Sequence, residues 1–529
     1  SILTVGDSIK LNFELLDINS GKVLWSDSWT DLIINRNKIR KNILEGILGS
    51  LNIEIPKELI DSLSEEISID ADAVSEYNKG KNYALEFLEK KSDLDLAKEH
   101  FKKALKLDSN FIEAYYMLSI VCERMGNYDE AESSLKKGYE IANKKNNLRG
   151  KSHIHRGFKI LYTRFAKYPQ AIEHIEKALK IEMKLNNPSF ESQLRMDYAN
   201  ALNKIHSYDL SIEQNKQAID ISKTIEDDRM TGLSYAHLCD SLLIKGDYSE
   251  SIESGEKAIA KFKKINMINY IAIACNWTAE PYCRVGLYSK MYERVVEAEN
   301  LISGLDDFFR EGKIEYFKSY YALSQNNESK ALDHIDLSIE KFNFAKNTVQ
   351  ELQSCIEKVK ILIEINKIDE ASKMLGKAEH LFNQIKGNYE NDTFTSIKIY
   401  IDIKNGATDR LVLDELLESL NKIKDYSVVE PYWYLARSYN YLDLNKLAQE
   451  CHIRSKDIIE NRSQIISNLE HQELFKNSIY NKKILSDLYD VKTEIKTDKI
   501  DLFAFCPSCG FKNENSFAFC PSCGNNLKQ

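Results

Sequence analysis

One triplet of positions, spaced four and then three residues apart, returns along this chain at a fixed interval and constrains its fold more than any other feature. Ala171, Ile175 and Ala178 recur as Ser211, Asn215 and Ala218, then as Ser251, Gly255 and Ala258. The series continues in the same step with Met291, Val295 and Ala298, with Ala331, Ile335 and Ser338, and with Ala371, Leu375 and Ala378. The step is about 40 residues, within the range of periods that marks a repeat architecture. Upstream, Ala131, Leu135 and Gly138 keep the spacing, and Ala97, Phe101 and Ala104 precede them by a somewhat shorter interval. Such spacing places all three side chains on one stripe of a helix, and small residues in that stripe let a second helix approach closely.

The second helix is visible as well. Twelve residues before these positions stand Ser119, Ala199, Cys239, Ala279 and Ser319, with apolar residues such as Leu118 and Leu238 just before some of them. Between the two helices runs a turn of the type Met-Gly-Asn-Tyr-Asp-Glu-Ala (125–131) or Lys-Gly-Asp-Tyr-Ser-Glu-Ser (245–251). Glycine there supplies the left-handed residue that ends one helix, and Asn or Asp caps the next. The pattern resembles the tetratricopeptide repeat, over about residues 75–457. That family implies a right-handed α-solenoid of about ten helix pairs. Its usual repeat has about 34 residues, so the spacing here predicts about six more in the second helix or the loop after it. A weaker repeat is read near 411, with Leu411, Glu415 and Glu418 in signature positions, and a clear last one from Tyr432, Leu435, Ala436 and Ala448.

Composition agrees with an extended array. A chain of 529 residues exceeds the usual size of one core, and repeats bury each helix pair only against its neighbours. Seventy-two basic and 81 acidic residues give a net charge of −9 with both signs interleaved, which argues against non-specific nucleic-acid binding. No apolar run is long enough to span a membrane. Cys122, Cys239, Cys275, Cys283, Cys355 and Cys451 stand singly in predicted helices, as thiols do in a reducing, cytoplasmic setting.

Two segments stand outside the repeats. In 1–54, Ile9, Leu11, Phe13 and Leu15 alternate with polar residues, turn residues follow at 17–21, and Val23–Trp29 gives a second strand. A helix from Ile39 to Leu51 completes a unit too small to stand alone. The run from Gly6 through Trp25 resembles the end of a TolB-like domain, a module that links a nucleotide cyclase or protein kinase domain to tetratricopeptide repeats in bacterial signalling proteins. Residues 55–72 read as a linker, 73–457 as the array, 458–495 as helices capping it, and 496–502 as a second linker.

At the carboxy end, Phe503-Ala-Phe-Cys-Pro-Ser-Cys-Gly510 is repeated letter for letter at 517–524. Cys506, Cys509, Cys520 and Cys523 can offer four thiolates to one tetrahedral Zn²⁺, and the segment 503–527 resembles a short zinc ribbon. A disulfide or redox pair suits a cytosolic chain without a βαβ context less well.

Enzyme chemistry finds no foothold. Gly-x-Gly-x-x-Gly, phosphate-loop and Gly-x-Ser-x-Gly motifs are missing from the sequence, and Gly46 and Gly49 read as packing in a helix. The chain is therefore read as a non-catalytic interaction scaffold for a protein or peptide, with the regulatory part of a cyclase or kinase, whose catalytic domain precedes Ser1, as the alternative. In that second case the partner is a catalytic domain of the same polypeptide. In tetratricopeptide proteins the first helix of each pair lines the concave face. That register, carried onto this chain, gives Arg124, Arg156, Arg164, Asn200, Lys204, Asn276, Arg284 and Arg437 as groove residues, suited to an acidic or carboxy-terminal peptide. Asp240 and Glu280 interrupt the stripe, and Lys159 stands at the position where the 171 repeat should carry its small residue.

Overall fold

The computed structural model describes residues 2–5, 8–16, 23–32, 36–51, 70–85, 91–385, 391–406, 410–423 and 426–487. The four cysteines expected to hold zinc, and the whole 503–527 segment, lie outside the described residues.

From α6 to α17 the array advances by a constant step. Helices begin at Leu148, Tyr168, Pro188, Tyr208, Asp228, Tyr248, Ile268, Tyr288, Phe308, Glu328, Thr348 and Ile368, one every twenty residues. α6 (Leu148–Arg164), α7 (Tyr168–Lys184), α8 (Pro188–Lys204) and α9 (Tyr208–Thr224) each have 17 residues. The sequence pattern predicts the extra residues of the long repeat in the second helix or its loop. They are found in the first helix too, which grows from 13 residues in α4 (Ile112–Arg124) to 17 in α6, while the turns stay short.

Each turn is built alike. Its middle residue is left-handed: Asn146, Asn186, Asn266, Asn326 and Asn366 at φ between 50° and 59°, and Gly246 and Gly286 at 102° and 92°. The next amide reaches back to close the helix, as Asn147 N–H does to the Ala142 carbonyl at 2.9 Å. Glycine, expected in the turn within a pair, stands there at 126, 246 and 286; asparagine, which tolerates this backbone better than other side chains, takes the place at 326 and 366 and in turns between pairs at 146, 186 and 266. Ala166, His206, Glu226 and Lys346 take it as well.

The signature stripe packs each second helix against its own first helix and against the first helix of the next pair. Ala131, Ala171, Ser211, Ser251, Met291, Ala331 and Ala371 are all at most 1% exposed. A Cβ on Gly138 would sit 2.5 Å from the Ile154 side chain, and one on Gly255 2.3 Å from Thr278 Oγ1. Polar signature residues are stitched in: Ser211 Oγ donates to the Ala199 carbonyl at 2.9 Å, and Ser251 Oγ to that of Cys239 at 2.7 Å. Ten helix pairs follow one another among the described residues, from α2 (Ala71–Leu85) and α3 (Lys91–Leu107), through α4 and α5 (Tyr128–Lys144), to α20 (Val429–Tyr441) and α21 (Asn445–Ile465). Between them lie α10 (Asp228–Lys245), α11 (Tyr248–Lys264), α12 (Ile268–Val285), α13 (Tyr288–Ile302), α14 (Phe308–Ser324), α15 (Glu328–Phe344), α16 (Thr348–Glu364), α17 (Ile368–Gln384), α18 (Asp392–Lys404) and α19 (Arg410–Leu420). The predicted register at 411 is corrected: Leu411 is 66% exposed, and α19 buries Leu413, Leu416 and Leu420 instead.

At the amino end, β1 (Ile2–Val5), β2 (Ser8–Leu16) and β3 (Val23–Leu32) form an antiparallel sheet in that order, one strand more than the predicted hairpin. Trp25 lies against Gly46 of α1 (Arg36–Ser50), where a Cβ would meet the indole at 2.3 Å. Gly49, also read as packing, has no neighbour within 4 Å of such a Cβ.

Candidate partner-binding groove

All eight predicted groove residues fall on first helices: Arg124 on α4, Arg156 and Arg164 on α6, Asn200 and Lys204 on α8, Asn276 and Arg284 on α12, Arg437 on α20. The structure divides them between two environments.

In the first half, neighbouring repeats pair their charges. Arg164 Nε donates to Glu123 at 2.5 Å, one helix pair back, and Lys159 bonds Asp197 at 2.8 Å. Arg156 lies 4.6 Å over the Phe190 ring, Asn200 meets His237 at 3.2 Å, and Lys204 and Arg124 are exposed. Beside them, buried His155 and half-buried His174 touch through their Nδ1 atoms at 2.9 Å. Burial first, and neighbouring charge second, pulls both imidazoles down to about 4.

The second half is filled by the chain itself. The sequence pattern predicts 458–495 as helices closing the end of the array. Instead α22 (Leu469–Lys476) and α23 (Ile479–Ser486) cross the first helices of several repeats. Ser467 bonds Asp247 at 3.0 Å, and His471 meets Ser249 at 2.8 Å. Ile479 N–H donates to Tyr288 Oη at 3.0 Å, and Tyr480 Oη to Glu357 at 2.5 Å. Lys483 reaches Glu364 at 2.9 Å, and Trp433 Nε1 donates to Asp487 at 2.6 Å. A segment that touches the turns before α11 and α13 and also α16 and α20 lies inside the curve of the array. Fully buried Phe475 seats between Tyr248 and Tyr426, its ring centroid 5.6 and 5.5 Å from theirs.

Charge in this strap is closely matched. Lys360 bonds Glu357 at 2.9 Å and Glu430 at 2.8 Å, and lies 3.9 Å over the Tyr480 ring. Burial alone pulls its ammonium down, but the two carboxylates outweigh burial and hold it above the usual lysine range. Arg437 pairs with Glu364 at 2.6 Å and stacks over Tyr400 and Trp433 at 4.8 and 4.9 Å. Arg284 pairs with Glu280 at 2.9 Å. Two cavities flank the strap, of about 440 and 780 Å³; Asn276 lines the larger and Arg284 both. The eight residues thus share one register but not one surface. Sequence reasoning missed Tyr320, Glu357, Lys360 and Glu364. Lys360 and Glu364 fall one full repeat after Tyr320 and Ser324, a signal the repeat register alone could have raised.

Among the described residues, no group of three or more His, Cys, Asp or Glu side chains could hold a metal, and no helix is long and apolar enough to cross a membrane.

Comparison with known proteins gives the repeats an independent footing. The tetratricopeptide repeat family matches residues 110–182, and a second tetratricopeptide repeat model matches 84–111. No curated protein matches the chain. Among solved structures, a signal transduction ATPase with a tetratricopeptide repeat sensor from Pyrococcus horikoshii is 17% identical, with a TM-score of 0.46 over 64% of this chain. This chain spans about half (49%) of that protein's length. A Rap protein complexed with competence and sporulation factor is 15% identical, with a TM-score of 0.47 over 67% of this chain and 99% of that one. Aspartyl phosphate phosphatase F from Bacillus subtilis is 17% identical, with a TM-score of 0.44 over 68% and 95%. These are likenesses of helical-repeat architecture.

Proposed function

We propose that this chain is a non-catalytic scaffold whose inner face holds a polypeptide partner, and that the partner site lies on α4, α6 and α8, ahead of the strap. One observation carries the reading: the inner face already holds polypeptide, since residues 466–487 lie across it through Tyr288, Glu357 and Glu364. The uncovered half carries Arg156 and Lys204 in addition to the paired Arg164 and Lys159, which favours an acidic segment. Because Arg284 is already paired with Glu280, the informative reversal is Arg156→Glu with Lys204→Glu. With a fluorescent acidic model peptide and its glutamine counterpart as probes, the double variant is expected to weaken the acidic one at least tenfold with helicity unchanged. Equal binding by both proteins would move the site elsewhere.

Two further parts of this reading concern the chain's ends. Cys506, Cys509, Cys520 and Cys523 hold one structural Zn²⁺ in this proposal, supported by the two identical Cys-Pro-Ser-Cys-Gly motifs; metal analysis of the purified protein should give one zinc per chain. The alternative, a regulatory part of a cyclase or kinase, is favoured by the sheet-and-helix unit ahead of the repeats. Reading the coding sequence upstream of Ser1 tests it.

A further inference from the structure

The larger cavity has walls of unusual composition. It is bounded by α10, α12, α14 and α16 on one side and by Tyr426, Ser427 and Arg462 on the other. Arg462 closes it by donating to the Lys245 carbonyl at 2.6 Å, 217 residues away in sequence. Apolar area comes from Leu243, Ile273, Trp277 and Phe309, and Trp277 is 41% exposed although it faces the interior of the array.

Three polar side chains in this wall are left over by the pairing around them. Asn276 is only 8% exposed, yet neither its Nδ2 nor its Oδ1 has a hydrogen-bond partner. A buried amide with both functions unpaired is rare in folded proteins and asks for an explanation. Asp240, one repeat before Glu280, has no ion-pair contact among the described residues; burial pushes its carboxyl above the usual range, and only Lys204 opposes that. Lys313, on the next first helix, likewise has no carboxylate in contact among the described residues; burial pulls its ammonium down against the pull of Glu280. By contrast, Glu280 with Arg284 and Asp307 with Arg310 satisfy each other in the same wall, at 2.9 and 2.6 Å. What remains is one carboxylate, one ammonium and, between their helices, an amide that can donate and accept at once.

We infer that this chamber binds a short zwitterionic peptide of a few residues. Its ammonium group meets Asp240, its carboxylate meets Lys313, and Asn276 donates to and accepts from the bond edge between them. The apolar wall at Trp277 and Phe309 takes the side chain. A volume of about 780 Å³ suits such a ligand, since small-molecule sites are commonly of about 300–1,000 Å³. This site adjoins the partner surface through Lys204, whose charge acts on Asp240, and substitutions at Asn276 and Lys313, which leave α4, α6 and α8 untouched, separate the two.

The test is calorimetric titration of the full chain with three probes: an equimolar mixture of free L-amino acids, a pool of unblocked tripeptides, and the same pool acetylated and amidated. The unblocked tripeptides are expected to bind, and the free amino acids, too short to reach from Asp240 to Lys313, are not. The blocked pool should bind at least tenfold more weakly. Asn276→Leu should lower affinity for the active probe at least tenfold, and Asp240→Asn should erase the preference for a free amino group. Should Asn276→Leu fail to fold by circular dichroism, Lys313→Gln, at a half-exposed site, takes its place with the same expected loss. No binding of the unblocked tripeptides at millimolar concentration, equal binding of the blocked pool, or affinity indifferent to these substitutions would each overturn the inference.

Discussion

The two halves of the array use the same helix pair but build different interiors. Up to the start of α10, buried apolar side chains form separate groups: one from Ala84 to Leu161, then Ala178, Leu179 and Leu194, then Met196, Ala218 and Met230. Polar residues occupy seams between them: Asn215 and Asn203 both donate to Ser241 Oγ, at 2.9 and 3.0 Å. Between Ala236 and Ile484 most buried apolar residues instead join one large cluster that includes Phe475, Tyr480 and Ile484 of the strap, with smaller groups beside it, such as Ala322, Ala331, Ile335 and Ile361. A repeat array buried only by nearest neighbours melts piecemeal. Contacts as distant in sequence as Ser249 with His471 tie far-apart repeats into one unit. The comparison teaches that the fold of a single repeat does not set cooperativity; the closure does.

The largest effect is expected from Phe475→Ala. Truncating a fully buried phenylalanine costs about 3–5 kcal/mol. Hydrogen exchange should show residues 466–487 and the inner ends of α10 to α16 losing protection together, while α4 to α8 keep theirs. Uniform loss across both halves would show that they are not separate units.

Next comes Glu357→Gln, which removes one carboxylate from Lys360 and makes the acceptor of Tyr480 a neutral amide oxygen but leaves Glu430 in place. Breaking a buried pair outright costs about 3–5 kcal/mol, so with Glu430 remaining a loss of about 2 kcal/mol is expected. Thermal melting followed on the strap by a fluorophore at its end would measure it.

Acid should act on the other half. His155 and His174 sit at about 4 when folded against an ordinary 6.5, so between these values the unfolded chain binds more protons. Their neutral burial is therefore no handicap above about pH 6.5, and stability falls as pH drops toward 4. A melting transition assigned to α4–α8 should move down by several degrees from pH 7 to 5, and His155→Phe with His174→Phe should reduce that slope, the rest coming from His153 on α6, which burial also pulls down to about 4.

The smallest effects compare one turn in two settings. Ala166→Gly and Lys346→Gly relieve the same left-handed strain, worth about 1 kcal/mol or less, once before the strap and once within its span. Equal gains would mark the turn as local; a larger shift in overall melting for Lys346→Gly would show the closed half acting as a whole.

How much of this could be read beforehand follows from repetition. Ala171, Ala258 and Ala331 were legible as a buried seam because a stripe that returns in every repeat survives substitution at any one copy. The turn was legible for the same reason, though only as glycine, since nothing local announces that Asn146 or Lys346 will adopt a left-handed backbone. At 411 the stripe had one copy to speak for it and slipped by two residues. The strap is not a repeat at all. Its apolar residues, Ile466, Leu474 and Ile479 among them, showed that a surface must cover them but not which one, and Leu469 among that set is left 76% exposed. Groove positions were legible as first-helix positions, but their ion pairs were not. Arg164 finds Glu123 only when a helix pair intervenes, and Arg437 finds Glu364 across 73 residues.

The constant step from helix to helix bears on how such a chain can change length over evolutionary time. Duplicating or deleting one full helix pair leaves every seam and turn in register, so copy number before Asp228 is open to drift. Between Asp247 and Glu364 it is not. The strap spans that stretch like a chord across an arc, fixed at one end by Ser467 and at the other by Lys483. One unit more or fewer would put Tyr288 or Glu364 beyond reach of its partner. Homologous arrays that keep a Phe-and-Tyr strap should therefore share one repeat count across this arc and vary freely ahead of it.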